Sequence, residues 1–84
     1  SAGAQNSVLD QVREKVVSIK QKDLDKNSSP SAIQNLIDQT NYQLLKISRL
    51  DSNDSNALQK EISSLLDDLQ DQLDNAIQRE GFQR

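Results

Sequence analysis

The side chains best suited to chemistry in this 84-residue sequence are oxygen donors clustered in a polar turn. Asp51, Asn53 and Ser55 occupy the first three ligand positions of an EF-hand-type loop, whose oxygen atoms surround Ca²⁺. The sixth position is Asn56 instead of the turn-making glycine, and the twelfth is Ile62 instead of a bidentate glutamate. The pattern therefore favours a helix-capping turn, with a calcium loop as the alternative.

Four aspartates, Asp67, Asp68, Asp71 and Asp74, recur at helical spacing near the C-terminus. Paired carboxylates work as general acids and bases where burial or mutual repulsion shifts their pKa. Neither condition is expected on the solvent face of an amphipathic helix. We interpret the aspartates as a solvated acidic face, and the functional alternative is a docking surface for a basic partner.

The chain lacks the residues on which most other kinds of enzymatic catalysis depend. The chain contains no cysteine and no histidine, which removes thiol nucleophiles, disulfides, thiolate metal sites and the commonest general base. Gly3 and Gly81 are its only glycines, so a glycine-rich phosphate loop cannot form. We expect a protein that is not an enzyme and has no catalytic residue, cofactor or metal.

Two polar breaks divide the chain into three segments with helical periodicity. Ser7 is predicted to cap the first helix, and Ser29-Pro30 suits the start of the second. Gly81 is predicted to end the third helix with a positive φ, with Phe82 folding back onto Ile77. The predicted ranges are a flexible N-terminal tail or cloning remnant at 1–6 and helices at about 7–26, 30–50 and 55–80.

Apolar residues recur at spacings of three and four in each segment, which places them on one face of each helix. Three amphipathic helices joined by short turns predict an all-α, antiparallel three-helix bundle in a single domain over residues 7–84. The predicted buried positions are Val8, Leu9, Val12, Val16 and Ile19, then Ile33, Leu36, Ile37, Thr40, Leu44 and Ile47, then Leu58, Ile62, Leu65, Leu66, Leu69, Leu73, Ala76 and Ile77.

The second helix carries the clearest candidate for binding. Tyr42, Leu45 and Arg49 fall together, well away from the predicted buried face, and Tyr and Arg are enriched at interface hot spots. The alternative is that the apolar stripe of this helix is wide and that Leu45 belongs to the core. A second candidate with the same alternative lies on the first helix and comprises Val17 and Leu24, flanked by Arg13 and Lys20.

Two stretches resemble families of three-helix adaptor modules. Residues 44–52 and 61–69 look like the second and third helices of BAG domains, which bind the nucleotide-binding domain of a heat-shock chaperone. BAG domains carry a basic stretch early in the third helix, where only Lys60 stands here. Residues 71–82 are similar to the end of the last helix of GAT domains, adaptors that bind ubiquitin and trafficking proteins, though one residue short. Both resemblances imply protein binding without catalysis.

The charge distribution bears on the class of partner. The net charge is −3, and residues 51–84 hold eight acidic against three basic residues, so nucleic acid and anionic membranes are poor partners. No apolar run approaches the roughly 20 residues that cross a bilayer. The sequence does not begin with Met, and residues 2–4 resemble either a signal-peptidase site or a cloning remnant; an excerpt of a longer protein is favoured. A cytoplasmic location is slightly favoured over secretion.

These observations predict a protein–protein interaction module of the adaptor or cochaperone kind, presenting one helix face to a partner protein of unknown identity. The alternatives are a helical assembly subunit that associates with itself, and a small secreted factor that binds a host or cell-surface protein. The residues expected to contact a partner are Tyr42, Leu45, Arg49, Asp67, Asp71 and Asp74.

Overall fold

A computed structural model of the chain describes residues 2–23 and 28–82. Over these ranges the chain forms three helices and no strand: α1 (Ala2–Lys22), α2 (Pro30–Ile47) and α3 (Asn53–Phe82). Every pair of helices is in contact, and α2 packs most extensively on α3. The predicted antiparallel three-helix bundle is confirmed, and it is a rod of 54 × 17 × 14 Å.

The core is almost purely aliphatic and follows the predicted stripes. Thr40 and Ile47, for example, are both fully buried on α2. Ile77 is 53 % exposed, so its prediction as a core residue is wrong. It borders Pro30, the first residue of α2, and therefore lies where α2 has only just begun to cover α3. The buried apolar residues are Leu9, Val12, Val16, Ile19, Ile33, Leu36, Ile37, Ile47, Leu58, Ile62, Leu65, Leu69, Leu73 and Ala76.

The start of α2 matches its sequence signals. Ser29 is the N-cap, and its hydroxyl accepts a hydrogen bond of 3.2 Å from the amide of Ala32. Pro30 occupies the first helical position, where its missing N–H leaves no hydrogen bond unmade. The start of α3 lies two residues before the predicted one. Ser52 caps it by accepting a 3.1 Å hydrogen bond from the amide of Ser55.

Three predicted helix ends are wrong. The first helix begins at Ala2 and ends at Lys22, so Ser7 lies in its second turn instead of capping it. Ala2 and Ala4 are the best helix formers and offset the cost of Gly3 between them, so the helix extends beyond its apolar stripe. The second helix ends at Ile47 instead of 50.

The end of α3 also differs from the prediction. Gly81 lies inside α3, and no described glycine has a positive φ. A glycine adopts helical angles at a modest entropic cost, so its presence does not by itself end a helix. The predicted packing of Phe82 on Ile77 concerns a side chain outside the described part of the chain.

Candidate interaction surface on the second helix

The outer face of α2 carries two large apolar side chains that the core does not use. Tyr42 is 58 % exposed and Leu45 is 71 % exposed. At about 100° per residue, both point away from the direction taken by the buried residues Thr40 and Ile47. The alternative that Leu45 belongs to the core is therefore wrong, and the exposed face predicted from the sequence is present.

These two residues belong to a longer stripe of exposed side chains. Asp38, Tyr42, Leu45 and Arg49 are all exposed and follow one another at intervals of four, three and four residues. This spacing is that of a coiled-coil seam, and it keeps Asp38, Tyr42 and Leu45 on one line along α2. Arg49 lies two residues past the end of α2, in the turn that follows it. We call these four residues the outer stripe. Sequence reasoning found the last three and missed Asp38, although the interval of four before Tyr42 was the signal for it.

The centre of the outer stripe is shaped for contact. Tyr42 and Leu45 border a shallow groove on the surface of α2. The ammonium of Lys46 lies 4.9 Å from the centroid of the Tyr42 ring, a cation–π arrangement that favours one face of the ring for the cation. An incoming group therefore meets the free edge and opposite face of an oriented aromatic ring. The rest of the groove is lined by Asp38, Asn41, Leu44 and Ser48.

The two ends of the outer stripe carry opposite charges. At one end, the Asp38 carboxylate accepts a single 3.0 Å hydrogen bond from the amide of Gln34. At the other end, Arg49 is exposed, and no described residue pairs with its guanidinium. Because a guanidinium offers five donors, Arg49 keeps its full capacity for a carboxylate outside this fold.

A buried polar cluster fixes the turn in which Arg49 stands. The amide of Gln59 donates to the carbonyl of Ile47 at 3.1 Å, to that of Leu50 at 3.4 Å and to the Ser55 hydroxyl at 3.0 Å. The fully buried hydroxyl of Ser55 donates to the Ile47 carbonyl at 3.2 Å. Side chains of α3 thus add donors to carbonyls at the end of α2, where the Ile47 carbonyl also accepts a 3.0 Å hydrogen bond from the amide of Leu50. They hold the backbone on both sides of Arg49.

The same cluster bears on the calcium-like pattern. Ser55, its third ligand position, is buried and directs its hydroxyl to the backbone. Asn53 is the first residue of α3, and the Asp51 carboxylate accepts a 3.5 Å hydrogen bond from Asn56. In the described ranges no three acidic side chains come together in a way that would hold a metal ion. The turn has the geometry of a helix cap.

The acidic face of α3 lies in solvent. Asp67, Asp71 and Asp74 are exposed on one side of the helix, and Asp74 accepts a 3.3 Å hydrogen bond from Gln70. Asp68 is exposed on a different side, one helical step of about 100° away from Asp67. Ile77, which is 53 % exposed, lies one helical turn beyond Asp74 and is the one large exposed apolar residue beside the three aspartates in the described chain. The acidic face therefore has a single apolar neighbour at its C-terminal edge, whereas the outer stripe of α2 has two at its centre.

The candidate on α1 has its charges engaged within the fold. Val17 is 54 % exposed, but Arg13 pairs with Asp10 at 2.9 Å, and Lys20 pairs with Glu61 of α3. Both cations therefore serve α1 and its junction with α3. Leu24, the other apolar member of this candidate, lies outside the described residues.

Comparison with known protein families, curated proteins and solved structures finds no match to this chain. Within the described residues, no helix is both long and apolar enough to cross a membrane.

Proposed function

We propose that this domain is a non-catalytic protein–protein interaction module, of the adaptor or cochaperone kind, that docks a partner through the outer stripe of α2. The observation that carries this proposal is the exposure of Tyr42 and Leu45 on the side of α2 that faces away from the core. In the turn after α2 they are followed by Arg49, with which no described residue forms an ion pair. Single exposed apolar residues are ordinary on protein surfaces. An aromatic, an aliphatic and an arginine in one seam are the composition of a hot spot.

The two exposed apolar side chains of this surface would gain free energy on burial by a partner. Complete burial of a leucine side chain contributes about 1.5–3 kcal/mol, and Leu45 has most of its surface still to bury. Tyr42 adds a large ring, which Lys46 already orients in the free chain. Two anchors of this size, with a charged pair at the rim, support affinities in the range of transient complexes.

The outer stripe is also rigidly presented. Tyr42 and Leu45 lie in the body of α2, whose opposite face is packed into the core and whose end is capped by Gln59. Binding therefore orders side chains only, since the backbone already has its bound shape, and this lowers the entropic cost of association. The resemblance to BAG and GAT domains implies the same manner of action, in which helix faces are presented without chemistry.

The test compares two double variants as immobilised baits in an extract of the source cells. Tyr42→Ala/Leu45→Ala removes both anchors, whereas Asp67→Asn/Asp71→Asn removes charge from the acidic face. We expect proteins retained by the unaltered domain to be lost with the first variant and kept with the second. If the first variant keeps them, the outer stripe is not the docking surface. If the second loses them, docking occurs on α3.

A further inference from the structure

We infer that the occupant of the outer stripe is a second copy of this chain, bound with its α2 antiparallel to the first. This inference rests on the proposed function, because it assigns a partner to the same surface. It comes from the order of the four side chains along the stripe, which is self-complementary when one copy is turned end to end.

The spacing of the outer stripe gives this complementarity a register, in which α2 contributes three residues and the turn after it contributes Arg49. Positions 42 and 45 share their midpoint with positions 38 and 49, since both pairs of numbers sum to 87. A two-fold axis at that midpoint sets Tyr42 against Leu45 of the second copy, and Leu45 against its Tyr42. The same axis sets Asp38 against Arg49 of the second copy at each end. The result is an apolar centre closed by two ion pairs, an arrangement typical of an isologous interface.

The charges select the antiparallel orientation. In a parallel pair in register, Asp38 would face Asp38 and Arg49 would face Arg49, and like charges in contact are unfavourable. The flanks of the antiparallel seam bring no such conflict. Asn41 comes to lie near Ser48 of the second copy, and on the other flank Gln39 lies near its Lys46. No pair of like charges meets in this register.

The charged side chains of the outer stripe make few contacts within a single chain, and this fits the proposed pairing. Arg49 has no partner among the described residues, and Asp38 accepts only from Gln34. The stripe points away from the core, so a second α2 can lie at the usual 8–10 Å from the first without displacing α1 or α3. The groove beside Tyr42 and Leu45 is open to receive the apolar anchor of the other copy.

The expected dimer is weak. Four side chains from each copy bury less than about 1,200 Å² in total, which is the low end of specific interfaces. We therefore expect a dissociation constant above about 1 μM and a monomer–dimer exchange within the concentration range of ordinary biophysical work. Each chain also carries a net charge of −3, so salt should screen the long-range repulsion between two copies and favour their association. Salt should also weaken the ion pairs between Asp38 and Arg49, which acts in the opposite direction.

Sedimentation equilibrium at concentrations up to about 1 mM tests the inference with charge-exchange variants of the full chain. Asp38→Arg sets two arginines against each other at both ends, and Arg49→Asp sets two aspartates, so each variant alone should dimerise about tenfold or more weakly. An equimolar mixture of the two should recover association as a heterodimer. The combined variant Asp38→Arg/Arg49→Asp should recover the homodimer, because it restores both pairs with the charges exchanged.

A monomer at every concentration overturns the inference, and so does a dimer that the two single variants leave unchanged. Stronger association of the Asp38→Arg variant alone would show a different register and would also overturn it. These outcomes separate from a failure of the proposed function. Suppose that the chain is monomeric, but the Tyr42→Ala/Leu45→Ala bait fails to retain proteins that the unaltered domain retains. The outer stripe is then still a docking surface, and only the proposed occupant is wrong. If the chain is monomeric and the variant bait retains the same proteins as the unaltered domain, both proposals fail.

Discussion

Gln43 offers a prediction in which a core substitution increases stability. The residue is 5 % exposed on α2, and its side-chain oxygen is the one buried side-chain polar atom in the described chain with no hydrogen-bond partner. An unsatisfied buried polar atom costs about 1–3 kcal/mol. Gln43→Met removes that atom, keeps the length and volume of the side chain, and has a similar helix propensity. We expect the free energy of unfolding to rise by about 1–2 kcal/mol, and Tm by about 4–8 °C for each kcal/mol.

Urea denaturation followed by circular dichroism measures this change, and Thr40→Val is its matched control. Thr40 is fully buried on the same helix, but its hydroxyl donates a 2.7 Å hydrogen bond to the Leu36 carbonyl. Replacing this satisfied hydroxyl should lower the free energy of unfolding by about 0.5–1.5 kcal/mol. If Gln43→Met lowers stability as much as Thr40→Val does, the Gln43 oxygen has a partner and the reasoning is refuted.

Four further substitutions, one of them a control, probe the helix ends and the surface of the bundle. Gln59→Ala should lower the free energy of unfolding by about 1–2 kcal/mol, because it removes the side-chain hydrogen bonds to the end of α2. The control is Gln70→Ala, because the side-chain amide of Gln70 reaches only an exposed carboxylate. In the same urea titration this control should change the free energy of unfolding by less than about 0.5 kcal/mol. Gly81→Ala should raise the free energy of unfolding by about 0.5–1 kcal/mol, because residue 81 is helical and has open space around it. A loss of stability would instead show that Gly81 has the positive φ of a glycine that ends a helix. Lys20→Ala should cost less than about 0.5 kcal/mol, because both partners of its ion pair with Glu61 are about half exposed, and a loss above 1 kcal/mol would contradict that estimate.

The architecture was predictable from the sequence because three- and four-residue spacing of aliphatic side chains leaves little choice of fold. Ile33 and Leu69, for instance, are buried as their periodicity predicts. The helix ends were less predictable, since they depend on contacts between segments. The end of α2 is stabilised in part by Gln59, a residue twelve positions after Ile47 whose role no local pattern indicates. Gly81 shows the converse, because a local stop signal has no effect where the helix can continue.

The candidate site was predictable in part. Helical geometry alone placed Tyr42, Leu45 and Arg49 on one side of α2, but whether Leu45 was buried depended on where α1 and α3 pack. Asp38 was missed because a charged residue on a helix surface is common, and its meaning appears only when its spacing to Arg49 is considered. Gln43 was missed as a core residue because it is polar, although it lies between the buried positions Thr40 and Ile47.

The central claim is that the outer stripe of α2 serves a partner and contributes little to folding. The most direct measurement is the free energy of unfolding of Tyr42→Ala/Leu45→Ala at about 0.1 μM, a concentration well below the expected dissociation constant, so that a weak dimer would be dissociated. Because both side chains are more than half exposed, we predict a loss below about 1 kcal/mol, together with loss of binding by the same variant. A loss of about 3 kcal/mol or more would show that these residues belong to the core, and it would contradict the claim.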